Sequence, residues 1–249
     1  MDWVQATRRC RWFYTGSVGF ALVVSGCREQ PLAVVAPQLS AAPIVPLRQK
    51  SPFRPGESQA WSVQIRGVAV GRFELAVATD RAAVVVEARF HPNRFARQWG
   101  RFTALASSRF DQGGQLLEAA EDVTMGKIKQ RSKRRARQGA RSQVHSPLSL
   151  LGAVRHVTIG QVIRPLDVEL AGTRYRATFA VVVAEHLDKK SVRRLDLELR
   201  SFEEPKRVAA QISLWIVNDS SASVIRFDIR SENTRVIATS IYHQLPAAD

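Results

Sequence analysis

Cysteine is almost absent from this chain of 249 residues: Cys10 and Cys27 are the only two, and both lie near the start. The body that follows can hold neither a disulfide framework nor a thiolate metal site. Histidine is sparse as well. His91, His145, His156, His186 and His243 show no i, i+4 pair around a glutamate, so no metal site is expected. No Gly-x-Ser-x-Gly elbow occurs, which removes one common hydrolase signature. No glycine-rich loop runs from a strand into a helix; Gly67 and Gly71 open onto a strand instead. These absences point away from an enzyme and from any cofactor. Acidic side chains such as Asp196 and Glu198 fall at alternating positions, where cross-strand pairing explains them.

Negative charge is also in short supply. Asp plus Glu number 22 against 37 Lys plus Arg, a net charge of +15. Loss of a leader carrying Arg8, Arg9, Arg11 and Asp2 would leave +13. Such a charge attracts polyanions. Hydrophobic residues make up 45% of the chain, enough for a packed core.

Long apolar runs are missing from the body, and the one near the start is short. Arg8, Arg9 and Arg11 precede a mostly apolar stretch from Trp12 to Val24. A bilayer-spanning helix needs about 20 such residues, whereas a secretory leader needs fewer. Ser25 and Gly26 then supply small side chains for a peptidase cleft. Val24-Ser25-Gly26-Cys27 resembles the lipobox of bacterial lipoproteins. The resemblance implies cleavage between Gly26 and Cys27 and a diacylglyceryl group on the Cys27 sulfur. It also implies an acyl chain such as palmitate on the new amino terminus. Buried chains at about 0.8 kcal/mol per CH₂ make such anchoring effectively permanent. The competing explanation is an N-terminal transmembrane anchor with an incidental cysteine. Arg28, rather than Asp, follows the cysteine. In the lipoprotein reading this favours the outer membrane or periplasmic face over the inner membrane.

Three segments result: a leader over 1–26, a lipid anchor and tether over 27–57, and a β domain over 58–245. The tether carries Pro31, Pro37, Pro43, Pro46, Pro52 and Pro55. Proline removes a donor and fixes φ, so this stretch reads as semi-extended. From Ser58 the apolar period is two. Trp61, Val63 and Ile65 alternate with polar residues, as do Phe73, Leu75 and Val77 after a turn or bulge at 67–71. Further runs cover 82–90, 102–110, 116–125, 162–170, 175–185, 192–202, 209–217, 224–230 and 236–245. Ser146-Pro147 opens one short helix, expected over 147–156, with Ser as N-cap and Pro at the first position. About ten antiparallel strands separated by frequent turns predict a mainly β domain: a curved sheet, open barrel or sandwich. Trp61, Phe73, Tyr175, Phe179, Trp215 and Phe227 fall on apolar faces. Core packing is the default for them; the alternative is a cleft in a barrel-like sheet that holds a lipid-like ligand.

Between strand and helix lies a basic run over 127–141: Lys127, Lys129, Arg131, Lys133, Arg134, Arg135, Arg137 and Arg141. One reading is a solvated loop, or an edge strand whose charge discourages aggregation. The other is contact with anionic lipid, lipopolysaccharide or wall polymer, at about 1 kcal/mol per basic residue near an acidic membrane. No aromatic residues are interleaved for base stacking, so nucleic acid is not expected.

Three motifs share an order along the body. They are Pro55-Gly56-Glu57 followed by Gly67-Val68-Ala69-Val70-Gly71-Arg72; His145-Ser146-Pro147-Leu148-Ser149-Leu150-Leu151 through Arg155; and Ile212-Ser213-Leu214-Trp215-Ile216-Val217-Asn218-Asp219. In that order they resemble a bacterial envelope family known as domain of unknown function 3108, whose members are often lipoproteins. The family's acidic residue before the Leu-Ser pair is absent here. So are its usual proline before Val224 and its glycine at the place of Arg235. The resemblance implies an envelope location and carries no catalytic residue. The reading is therefore a lipid-anchored envelope protein with a non-enzymatic binding or assembly role. Its rivals are a lipid carrier or sensor and an envelope hydrolase.

Overall fold

The computed structural model describes residues 44–45, 53–98, 100, 102–125, 127–135, 144–232 and 234–245. Among them the chain forms sixteen strands and two helices. It begins with β1 (Ile44–Val45), β2 (Ser58–Ile65), β3 (Val68–Asp80) and β4 (Ala83–Pro92), then α1 (Arg94–Gln98). Next come β5 (Phe102–Phe110), β6 (Leu116–Met125), β7 (Ile128–Arg135), β8 (Val144–His145) and α2 (Pro147–Val154). It closes with β9 (Val162–Ile163), β10 (Leu166–Leu170), β11 (Thr173–Phe179), β12 (Val183–Leu187), β13 (Lys190–Ser201), β14 (Val208–Val217), β15 (Val224–Ser231) and β16 (Thr234–Gln244).

One sheet of 14 strands carries the fold. Its order is β7-β6-β5-β4-β3-β2-β16-β15-β14-β13-β11-β10-β8, with β12 on β13 beside β11. Neighbours pair antiparallel except β10 and β8. Local chemistry sets the register. Arg66 and Gly67 both take positive φ (50° and 79°), the backbone a two-residue hairpin requires. Val63 pairs with Gly71 while Gln64 pairs with Ala69, so Val70 is an extra residue and β3 bulges there. Gly71 lies opposite Pro92, and a Cβ on it would run into the His91 carbonyl and the Phe90 ring.

The expected runs match these strands closely, and the differences have plain causes. Pro165 divides the expected 162–170 run into β9 and β10, because proline cannot donate to a ladder. The 175–185 run divides into β11 and β12, which share the long β13; the Ala180 N–H donates to the Asp196 carbonyl at 2.8 Å between them. The basic segment, read as a loop or an edge strand, forms the edge strand β7 over Ile128–Arg135. The helix ends two residues earlier than expected, and α1 was not expected at all. The stretch read as tether also touches the body: β1 pairs in parallel with β9, and Phe53 is 2% exposed in the core.

The sheet curls until its two ends meet, but backbone pairing does not close it. Arg134 of β7 donates to the Val144 carbonyl of β8 at 2.6 Å and to Glu169 of β10 at 3.2 Å. The Ala171 N–H donates to Glu121 of β6 at 2.6 Å. A barrel of about eight strands is filled by its own side chains, whereas larger ones leave a lumen. Here α2 helps fill it, burying Leu148, Leu150 and Val154. Ser146 and Ser149 form a capping box at its start, and Ser146 Oγ bonds Ser108 Oγ of β5 at 2.8 Å. At its end Arg155 pairs with Glu57 at 2.7 Å, both nearly fully buried. The same guanidinium donates to the Ala222 and Ser221 carbonyls, each at 3.0 Å, and lies over the Phe53 ring. Burial alone would raise the Glu57 carboxyl. The His243 contact and the Arg155 charge overrule it and hold the group below its usual range.

Candidate functional site

An apolar cavity of about 130 Å³ lies inside the curve of the sheet. Phe73, Leu199, Ile212 and Phe227 line one side and Leu148, Leu150 and Leu151 of α2 another. β5 and β6 contribute Ala104, Ala106 and Val123. The small alanines make the room, because strand alternation aims them inward where larger residues would meet α2.

Among the described residues one charged side chain lines this cavity, that of Glu121. It pairs across the sheet with Ala106 and Ser132, in phase with inward Ala119 and Val123, and is 8% exposed. Its Oε2 accepts the Ala171 N–H; among the described residues no hydrogen bond reaches Oε1. Burial pushes the carboxyl up to about 7, and the Glu169 charge adds to this; the Ala171 bond and the Arg134 charge oppose it. The result is a carboxyl poised to change charge near neutrality. A second groove of about 300 Å³ lies outside β5–β7, lined by Ser107, Asp122, Arg131 and Lys133. Six of its eight lining residues are polar or charged. It shares Leu105 and Glu121 with the inner cavity, so only a thin wall separates the two.

Next to the seam sits a serine–histidine contact. Ser149 Oγ lies 3.3 Å from His145 Nδ1. The same hydroxyl donates to the Ser146 carbonyl at 3.1 Å and accepts the Ser146 N–H at 2.8 Å. It is thus engaged as a helix cap, and it is buried. Burial, with the Arg134 charge beside it, brings His145 down to about 4, while Asp167 pulls the other way. Among the described residues no group of three or more His, Asp or Glu could hold a metal. No described helix is long and apolar enough to cross a membrane.

The basic run is placed only in part. Gly26, Cys27, Arg137 and Arg141 lie outside the described residues. On β7, Arg131 pairs with Asp122 at 2.6 Å and Lys133 with Glu118 at 3.0 Å. Arg135 reaches Glu118 at 3.6 Å, and Arg134 turns into the seam toward Glu169. Lys127 and Lys129 are exposed and join no ion pair among the described residues. The strand forms because Glu118 and Asp122 on β6 meet its cations across the ladder.

Asp196 and Glu198 form their ion pairs along their own strand, with Arg194 at 3.0 Å and Arg200 at 2.7 Å, rather than across the ladder as expected. Their cross-strand neighbours Ser213 and Gln211 donate hydrogen bonds to them instead. Of the aromatic set, Trp61, Tyr175 and Phe179 are core, while Phe73 and Phe227 border the cavity. Trp215 is the exception. Its cross-strand partners are Arg194 and Arg226, and it packs between their guanidinium groups at 5.6 and 5.1 Å. It therefore belongs to the outer face, where its indole N–H donates to Glu185 at 3.0 Å.

The shell matches a solved β-barrel-like protein of domain of unknown function 1849 from Brucella abortus. The TM-score is 0.52 at 9% identity, over 76% of this chain and 97% of that one. The fold is β-barrel-like. At that identity the likeness extends to fold alone. No family model matches the chain, and no curated protein matches it.

Proposed function

We propose that this chain is a lipid-anchored protein of the bacterial cell envelope whose barrel-like domain binds a small apolar molecule without transforming it. The inner cavity carries this reading. Pockets for drug-sized ligands run to about 300 Å³ or more, so a cavity of about 130 Å³ suits a single ring or a short chain segment. Filling it tests the claim. Ala106→Leu places a larger side chain where Ala106 now leaves space. Toluene binding to the purified protein, followed by saturation-transfer NMR, should be lost in this variant while the fold is kept. Equal binding by both proteins would sink the cavity as the site.

Export and anchoring rest on the leader and on Val24-Ser25-Gly26-Cys27. Cells fed a clickable fatty acid should label the parent protein, and Cys27→Ser should abolish that label. Retained label would overturn the anchor. Membership of the envelope family known as domain of unknown function 3108 rests on the three quoted motifs. It is supported by the way Glu57 of the first and Arg155 of the second meet as a buried pair. Contact with anionic lipid, lipopolysaccharide or wall polymer falls, within the described part of the run, to Lys127 and Lys129, which join no ion pair among the described residues.

A further inference from the structure

We propose that the inner cavity selects small apolar molecules that carry an amine, with the ammonium held by Glu121. This rests on the cavity being a ligand site and adds the chemistry of the head group. Among the described residues the carboxylate is the only charged group on an otherwise apolar wall, and it is more than nine-tenths buried. A carboxylate has about four acceptor positions. The Ala171 N–H occupies one on Oε2, and Oε1 receives none among the described residues.

Among the described residues the neighbouring elements leave that position unfilled. From β7, Arg134 is committed to Glu169 and to the Val144 carbonyl. From β10, Glu169 adds a second negative charge. From β8, His145 is kept neutral by burial. From α2 and β5 the lining is wholly apolar. A ligand carboxylate entering here would meet like charge in a low-dielectric space and be rejected. A hydrocarbon would fill the volume and leave Oε1 unpaired. An ammonium offers three donors and the compensating charge. Engineered apolar cavities of about 150 Å³ take up benzene, so a single-ring or short-chain amine is the size class. Because Glu121 is held up near 7, amine binding should strengthen as pH rises through that value.

Four matched probes test this on the purified full chain: toluene, benzyl alcohol, benzoate and benzylamine. Their dissociation constants would be measured by titration calorimetry at about pH 8, where the carboxylate is ionised. Benzylamine should bind at least about tenfold tighter than benzyl alcohol, and benzoate weakest. The background works against this result, since a chain of net charge +15 attracts benzoate and repels benzylamine. Glu121→Gln keeps an oxygen for the Ala171 N–H, so it should fold. It should erase the benzylamine preference over benzyl alcohol. Benzoate binding as tightly as benzylamine, or a benzylamine preference that survives Glu121→Gln, overturns the amine assignment alone. Failure of toluene itself to bind overturns the ligand site and the amine assignment together.

Discussion

Arg155 and Glu57 show how far single residues carry this fold. They lie 98 positions apart, yet their side chains meet at 2.7 Å in the interior. Two charges leave water there, and the arrangement is tolerable because the guanidinium is fully engaged. It donates to Glu57 and to two carbonyls of the β14–β15 turn. Arg155→Met would leave the Glu57 carboxylate with a 3.4 Å contact to His243 and the Arg54 N–H. The expected loss is about 3–5 kcal/mol, read from urea unfolding. The double variant Glu57→Leu/Arg155→Met should recover part of it. If the double variant lost the full sum of the two single changes, the pair would not be coupled. Glu121 was legible in principle, since it shares the inward phase of β6 with Val123. It went unread because acidic residues on strands usually face water, and only the curl of the sheet makes this phase interior.

At the scale of elements, period-two patterning was enough wherever one face packs on a core. β5 and β6 have the bounds expected for them, and the Ser146-Pro147 start of α2 follows from capping chemistry. β7 was less visible, because its sequence IKQRSKRR has one apolar residue and no amphipathic signal. Its partner strand supplies the missing information as Glu118 and Asp122. That pairing divides the basic run by availability. Cations already matched by acids gain little from an anionic surface, while Lys127 and Lys129 at the β6–β7 hairpin join no ion pair among the described residues. Lys127→Ser/Lys129→Ser should therefore weaken binding to phosphatidylglycerol vesicles, by roughly 1 kcal/mol per lysine at low salt. Lys133→Ser/Arg135→Ser should have the smaller effect in the same co-sedimentation assay. An equal loss from both pairs would mean that the ion pairs of β7 open at the surface.

For the whole molecule, the decisive event is closure, and closure is the part that patterning could not reveal. A curved sheet was expected; that its ends meet through Arg134, Glu169, Glu121 and the Ala171 N–H depends on contacts between distant strands. The seam also gives the fold its pH response. Glu121 titrates near 7 when folded and ordinarily at 4.5, so the folded state retains a proton that the unfolded chain has lost. Its contribution to stability is complete below 4.5 and disappears as pH rises through about 7. His145 works in the opposite sense. Its folded value of about 4 lies below the ordinary 6.5, so its contribution is complete above 6.5 and disappears as pH falls through about 4. Between 4.5 and 6.5 the two slopes oppose each other, and the parent protein should show a shallow profile there. Glu121→Gln removes one slope and leaves the other. At about pH 8 the variant should be the more stable, on the order of 2 kcal/mol after the cost of a buried amide. Its stability should then fall as the medium is acidified below 6.5, where the parent stays nearly level. Urea midpoints across the range would show this as two curves that cross as the pH falls, the variant ending below the parent by the cost of the buried amide. Parallel curves would mean that Glu121 titrates normally and that the seam is open to water.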